Sequence, residues 1–157
     1  MYRVALVCLG NICRSPMADV VLSSLLDEAG RTDTIEVTSC GTGDWHVGEP
    51  MDRRAAAVLT ASGYDATRHR ARQFGVDWHD HDLILVMDAS NRADVLDQLP
   101  ADRHDRVRLF RSFDPAVADP GHAPDVPDPW YGGPEGFDEV LAIVERTARA
   151  LVEAIDA

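Results

Sequence analysis

A thiol and a guanidinium flank five residues in Cys8-Leu9-Gly10-Asn11-Ile12-Cys13-Arg14, and Ser15-Pro16 follows directly. The stretch lies between an apolar β-prone run and a pair of residues that opens helices. A loop entering a helix turns several free backbone N–H groups inward and adds the positive end of the helix dipole, so it forms a nest for a tetrahedral oxyanion. Arg14 brings a planar fork that can hold two phosphate oxygens together and, unlike lysine, keeps its proton. The same field acts on Cys8, whose thiol pKa is expected well below ~8.5, leaving a thiolate near neutral pH. Moving a phosphoryl group onto that sulfur requires a proton for the leaving oxygen, hence a carboxylic acid facing the loop. Asp128-Pro129-Trp130-Tyr131 offers one: proline stiffens the chain beside the acid, and two aromatics can wall an aromatic leaving group. The plain alternative is a buried structural Cys8 and one more solvated carboxylate among 27. Only the pairing of loop and acid makes the signal specific.

Such a site needs a strand before the loop and a helix after it. Val4-Ala5-Leu6-Val7 is a continuous apolar run that suits a strand covered on both faces. Ser15 stands where an N-cap belongs, with Pro16 at the first helical position. Met17, Val21 and Leu25 then share a face, with Val20 beside them, until Gly30 stops the helix. Ile35 to Ser39 alternates like a second strand. Asp52 caps a helix running to about Ser62, with Gly63 as its stop. Leu83 to Met87 is the strongest buried-strand signal, followed by Ser90 as a cap and a helix ending near Leu99-Pro100, and Val107 to Phe110 offers a fourth strand. From Asp114 to Pro134, six of the nine prolines and little periodicity predict a long ordered loop, a length more often functional than idle. Phe137, Val140, Leu141, Val144, Ala148, Leu151, Val152 and Ile155 mark an amphipathic closing helix. Strands alternating with helices predict an α/β fold, a parallel sheet wound on both sides in a single domain over residues 1–157.

Composition narrows the class further. The chain has 157 residues, 27 acidic and 15 basic side chains, a net charge of −12, and every cation is arginine. A lysine Schiff base, a P-loop lysine and a lysine general base are therefore excluded. Residues 114–157 carry ten carboxylates against Arg146 and Arg149, net −8, and residues 1–113 carry seventeen against thirteen, net −4. That is a poor surface for nucleic acid or an anionic membrane, so any bound anion must be caught by a local arrangement. No apolar run approaches the ~20 residues of a membrane span, and the N-terminus does not read as a signal peptide. A cytoplasmic protein is expected. Cys8, Cys13 and Cys40 are too few for a disulfide scaffold and should be reduced.

The run Val7-Cys-Leu-Gly-Asn-Ile-Cys-Arg-Ser-Pro16 together with Asp128-Pro-Trp-Tyr131 closely resembles the low-molecular-weight protein tyrosine phosphatases, and the likeness extends over essentially the whole chain. Further matches are Val37-Thr38-Ser39, Asp44-Trp45-His46-Val47-Gly48, His69-Arg70-Ala71-Arg72-Gln73 and Met87-Asp88-Ala89-Ser90-Asn91. The resemblance implies a four-stranded parallel sheet with helices on both faces, flavodoxin-like in the manner of phosphotyrosine phosphatase I. It implies that Cys8 is the nucleophile, that Arg14 holds the phosphate with the N–H groups of the Leu9–Cys13 loop, and that Asp128 is the acid and then the base. Ser15 would support the Cys8 sulfur. Asn11, Ser39 and His69 would hold the loop's shape, and Leu9, Ile12, Trp45, Trp130 and Tyr131 would line the mouth. Gly10 and Cys13 complete the loop. Neither cofactor nor metal is implied. Phosphotyrosine proteins would be the substrates, inorganic phosphate the product, and a monomer the usual state. Trp130 stands where tyrosine is also common, which touches rim shape and peptide preference but not the chemistry.

Other assignments on this scaffold make different demands. Arsenate reductases need further cysteines past mid-chain, and nothing after Cys40 is cysteine. Protein-arginine phosphatases typically carry threonine at the position of Ile12. A non-catalytic phosphate-binding module predicts loss of Cys8 or Asp128, and both are present. Cys13 reads either as a small residue under the loop or as a resolving thiol for oxidised Cys8. Cys40 reads as a buried core residue. Gly41-Thr42-Gly43 follows a strand, but His46 stands where a dinucleotide fingerprint wants glycine. His79 and His81 among Asp77, Asp80 and Asp82 read as the polar approach to the third strand, not as metal ligands.

Overall fold

The structure is a computed structural model and describes residues 1–155. Four strands, β1 (Tyr2–Cys8), β2 (Ile35–Gly41), β3 (Leu83–Val86) and β4 (Val107–Leu109), form one parallel sheet in the order β2-β1-β3-β4. Four helices connect and close it: α1 (Arg14–Glu28), α2 (Arg53–Ala61), α3 (Ala89–Gln98) and α4 (Glu135–Ala154). The expected α/β architecture is therefore present. Alternate residues of the two central strands point to opposite faces. Val4, Leu6, Leu83, Leu85 and Met87 join α1, α2 and α4 in one apolar cluster, and Ala5, Val7, Ile84 and Val86 join Phe74, Trp78, Val95 and Leu99 in the other. Both faces are thus buried, which is why these strands read as unbroken apolar runs.

Strand order decides where a ligand can bind. From β1 the chain crosses to β2 on one side, and from β3 it crosses to β4 on the other. Crossovers in parallel sheets are right-handed, so opposite directions put α1 and α3 on opposite faces. The connections diverge from the carboxyl ends of β1 and β3, which leaves a crevice at that switch point. Cys8 ends β1, and Met87-Asp88 follows β3.

Element boundaries shift in two places that matter. The first helix starts at Arg14 with Cys13 as its N-cap, not at Pro16 with Ser15 as the cap. Pro16 remains within the first turn, where its missing N–H has no intrahelical acceptor to lose. Ser15 is free of capping because its hydroxyl serves Cys8. Likewise Asp88, not Ser90, caps α3 by accepting from the Asn91 N–H at 2.7 Å. Asp52 does cap α2, accepting from the Arg54 N–H at 2.8 Å. On α1 the buried stripe is Met17, Ala18, Val21, Leu22 and Leu26, with Val20 and Leu25 at its edge.

The proline-rich stretch is ordered by short 3-10 turns at Pro120–His122 and Pro129–Tyr131 and by an ion pair at its start. Asp114 is buried and takes Arg146 in a two-pronged contact, Nε to Oδ1 at 2.7 Å and Nη2 to Oδ2 at 2.8 Å, with Arg111 Nε at 3.1 Å. This joins the loop to α4. The Arg146 hydrogen bonds outweigh burial and hold the Asp114 carboxyl at about 2. A depressed folded-state pKa gives stability that is complete above the unfolded value of ~3.9 and is lost as pH falls through about 2. We expect Asp114→Asn to lower unfolding free energy by about 2 kcal/mol at pH 7. In urea titrations the gap from the parent should narrow steadily below pH ~4. A gap independent of pH would contradict the assignment.

Candidate active site

Residues 8–13 leave β1 and wrap into a tight loop that ends on the first turn of α1. Its carbonyls are held from outside. The Thr42 N–H donates to Cys8 O at 2.9 Å, the Gly43 N–H to Leu9 O at 2.9 Å and the Asp52 N–H to Ile12 O at 2.9 Å, while His69 Nε2 donates to Asn11 O at 2.6 Å. In a trans peptide the next N–H points opposite to the carbonyl. Outward carbonyls at 8, 9, 11 and 12 therefore turn the N–H groups of Leu9, Gly10, Ile12 and Cys13 inward, as an anion nest requires.

The turn that makes this possible is Asn11, the one non-glycine residue with positive φ (57°) among the described residues. Asparagine tolerates this region better than most residues, and here the side chain is fully employed. Asn11 Nδ2 donates to Ser15 Oγ at 2.8 Å and to Ser39 Oγ at 3.1 Å, and Asn11 Oδ1 accepts from the Arg72 N–H at 2.9 Å. Gly41 is a glycine for a related reason: a Cβ there would stand 2.6 Å from Leu9 O. The Gly41-Thr42-Gly43 run is thus the outer wall of the loop.

Cys8 is buried at the floor, with Sγ 2.9 Å from Ser15 Oγ and accepting from the Asn11 N–H at 3.3 Å. The Ser15 hydroxyl has one proton and two acceptors in reach, the sulfur and the Cys40 carbonyl at 3.3 Å. Arg14 is 3% exposed. Its Nη1 donates to Asp88 Oδ2 at 2.7 Å and to the Val126 carbonyl at 3.1 Å. With Nη1 so occupied, the Nε and Nη2 edge of the fork is left for a ligand. Burial works against the Arg14 charge, but Cys8, Asp88 and Asp128 outweigh it and raise the pKa above the ordinary arginine value.

Asp128 Oδ2 lies 3.6 Å from Arg14 Nη2, and its Oδ1 accepts from the Trp130 N–H at 3.1 Å. A cavity of about 330 Å³ opens between them, lined by Cys8, Leu9, Gly10, Ile12, Cys13, Arg14, Trp45, Asp128, Trp130 and Tyr131, with His46 in addition. Thiol, guanidinium, carboxylate and aromatic walls from three stretches of chain, 8–14, 45–46 and 128–131, therefore meet in one place. Asn11 and Ser15 lie within the loop, and Ser39 and His69 stand behind it. Trp45 and Tyr131 are 68% and 84% exposed, so the walls form a rim that a second molecule can touch. Burial drives the thiols of Cys13 and Cys40 well above their ordinary pKa, and all three cysteines are free. His79 and His81 pack against Phe74 and Trp78, and among the described residues no group of three or more His, Cys, Asp or Glu side chains could hold a metal.

Several participants escaped sequence reasoning. Asp88 anchors Arg14, and His46 packs beside Gly10 with its ring 6.1 Å from Trp130 and its Nδ1 paired with Glu49. Both sit inside runs that resembled the family, yet nothing in their spacing announced a role. Arg54 lies 5.3 Å over the Trp130 ring and 4.7 Å over Phe137, bracing one wall. Burial pushes the Asp19 carboxyl, one turn along α1, up to about 6, against the Ser23 and Ser39 hydroxyls and the charge of Arg72.

The model of the family described as low molecular weight phosphotyrosine protein phosphatase matches residues 3–157. A low molecular weight protein-tyrosine-phosphatase of Streptomyces coelicolor is 46% identical over 156 residues, covering 98% of this chain and 93% of that protein. The low molecular weight protein-tyrosine phosphatase A of Mycobacterium tuberculosis is 46% identical over 154 residues, with 98% and 91% covered. A crystal structure of a protein tyrosine phosphatase from Entamoeba histolytica is 30% identical and superposes with a TM-score of 0.89 over 98% of this chain and 96% of that one. The loop, the switch-point crevice and these full-length matches agree, and the chain belongs to the low molecular weight phosphotyrosine protein phosphatases.

Proposed function

We propose that this protein hydrolyses phosphotyrosine in proteins, and small aryl phosphates, through a cysteinyl-phosphate intermediate. The observation that carries this reading is the convergence of Cys8, Arg14 and Asp128 in one aromatic-walled cavity. Cys8 Sγ attacks phosphorus in line with the leaving phenolic oxygen. The P–O bond breaks as the S–P bond forms, and Asp128 in its acid form gives its proton to the departing phenolate. Asp128, now a carboxylate, takes a proton from water, the hydroxide oxygen bonds to phosphorus, and the S–P bond breaks to release inorganic phosphate. The loop N–H groups and the free edge of Arg14 hold the three equatorial oxygens throughout. The Asn11 N–H donates to the sulfur and the Ser15 hydroxyl lies 2.9 Å from it, so that once the sulfur is an anion both donate to it.

Specificity follows from depth and walls. The sulfur lies at the floor, so a phosphate must be carried on an arm long enough to reach it. Trp45, Trp130 and Tyr131 offer faces on which a phenyl ring stacks, and Ile12 keeps the inner wall apolar. These features favour phosphotyrosine over phosphoserine and phosphoarginine. Among the described residues no helix is long and apolar enough to cross a membrane. We place the protein in the cytoplasm as a monomer acting on phosphoproteins, with no nucleic-acid partner.

Cys8→Ser should abolish turnover while inorganic phosphate still binds. Full turnover in that variant would sink the mechanism. Asp128→Ala should reduce kcat on a phosphotyrosine peptide by about 10²–10³-fold and on p-nitrophenyl phosphate, whose leaving group needs little protonation, far less. In a parallel assay of phosphotyrosine, phosphoserine and phosphoarginine peptides, only the first should turn over well, and comparable phosphoserine hydrolysis would contradict the deep aromatic pocket. Asn11→Ala removes the hydrogen bonds to Ser15 and Ser39 and leaves the positive φ strained. It should cost at least tenfold in kcat/KM and lower the thermal midpoint by several degrees.

A further inference from the structure

The side chain of Asp128 has no hydrogen bond beyond its own turn among the described residues, since its Oδ1 accepts only from the Trp130 N–H and its Oδ2 stays 3.6 Å from Arg14. Its place in the cavity wall is therefore set by the backbone that carries it. That backbone is anchored three residues earlier. Asp125 Oδ1 accepts from the Ala89 N–H, the first N–H of α3, at 3.0 Å, and the Asp125 carbonyl accepts from Arg111 Nη1 at 3.3 Å. Next to it the Val126 N–H donates to the Met87 carbonyl at 2.7 Å, and the Val126 carbonyl accepts from Arg14 Nη1. Between this anchor and the acid stands Pro127, whose fixed φ carries the anchor's position to Asp128, and Pro129 directly after it restricts the backbone of Asp128 itself.

The start of α3 thus holds both halves of the site. Asp88, its N-cap, fixes the guanidinium through Oδ2, while the adjacent Ala89 N–H fixes the acid-bearing segment through Asp125. We propose that Asp125 is a positioning residue for Asp128: its carboxylate docks the 125–129 segment on the N-terminus of α3 and sets the reach of the acid to the leaving oxygen. This rests on the assignment of Asp128 as the acid given above. Asp125 does not line the cavity. Its loss should therefore resemble a weak form of the Asp128 loss and should spare phosphate binding.

The test compares Asp125→Ala, Asp125→Asn and Asp128→Ala on a phosphotyrosine peptide and on p-nitrophenyl phosphate. Asp125→Ala is expected to lower kcat about tenfold on the peptide and at most about twofold on the nitrophenyl ester, with KM for both within about twofold of the parent. Asp125→Asn keeps an oxygen that accepts from Ala89 N–H and should restore the peptide kcat to within about twofold. Equal losses on both substrates for Asp125→Ala, or an Asn variant as impaired as the Ala variant, would overturn the role. Asp128→Ala separates the two assignments. If its loss depends on the leaving group and that of Asp125→Ala does not, only the positioning role fails. If its own loss is the same on both substrates, the acid assignment fails and this inference falls with it.

Discussion

The structure depends on keeping a short loop turned inside out. Leu9, Gly10, Ile12 and Cys13 must present N–H groups to one point, so the carbonyls before them must face away, and a buried carbonyl without a donor is costly. The surrounding fold supplies those donors: Thr42 and Gly43 just after β2, Asp52 at the N-terminus of α2, and the His69 ring, while the Arg72 N–H holds the Asn11 side chain. Asn11 pays the conformational cost of the turn and is held by Ser15 and Ser39. Parallel pairing of β1 with β2 puts Gly41 beside Cys8, and only a residue without Cβ lets the loop pass so close. The sheet, both crossovers and the turn chemistry thus serve one backbone shape.

Electrostatics follows the same economy of distance. The chain carries −12 overall, yet the ligand proposed for it is a dianion. Charges on the surface are screened beyond about 8–10 Å, whereas Arg14, the loop N–H groups and the start of α1 act at contact range. Burying Arg14 strengthens its field, and the buried charge is tolerated because Asp88 faces it at 2.7 Å. That pairing occupies one end of the guanidinium and orients the other. The absence of lysine means that every cation available for this task is a fork, whose planar geometry suits two phosphate oxygens.

The acid side of the site is built differently. Residues 114–134 have no long element of their own, and their order comes from attachments at intervals. Asp114 ties the start to α4, Asp125 and Val126 dock on the β3–α3 junction, and short 3-10 turns at 120–122 and 129–131 shape the stretch before that dock and the one after it. Rigid elements hold the nucleophile, and a strapped loop holds the proton donor. Trp130 leans under Arg54 and Tyr131 stands open to solvent, so the rim has one braced wall and one free one.

How much of this could be read from the chain depends on whether the determinant was local. The apolar runs, the Asp52 cap, the closing helix stripe and the Cys-x5-Arg spacing are properties of neighbours in sequence, and they predicted the elements and the loop. The helix start was misplaced because Ser15 looks like a cap by residue type, whereas its hydroxyl is claimed by Cys8, seven residues away. Asp88 likewise took the capping position expected of Ser90, because the same carboxylate also meets Arg14 across 74 residues. His46, Arg54 and Asp125 have no local signature at all. By itself the sequence determined the strand–loop–helix order, the nucleophile candidate and the acid candidate, since these follow from residue type and spacing. Only the tertiary structure decided which donors satisfy the outward carbonyls, which carboxylate steadies the guanidinium and which residues brace the walls. Those contacts join groups far apart in the chain, and only the folded sheet brings them within hydrogen-bonding distance.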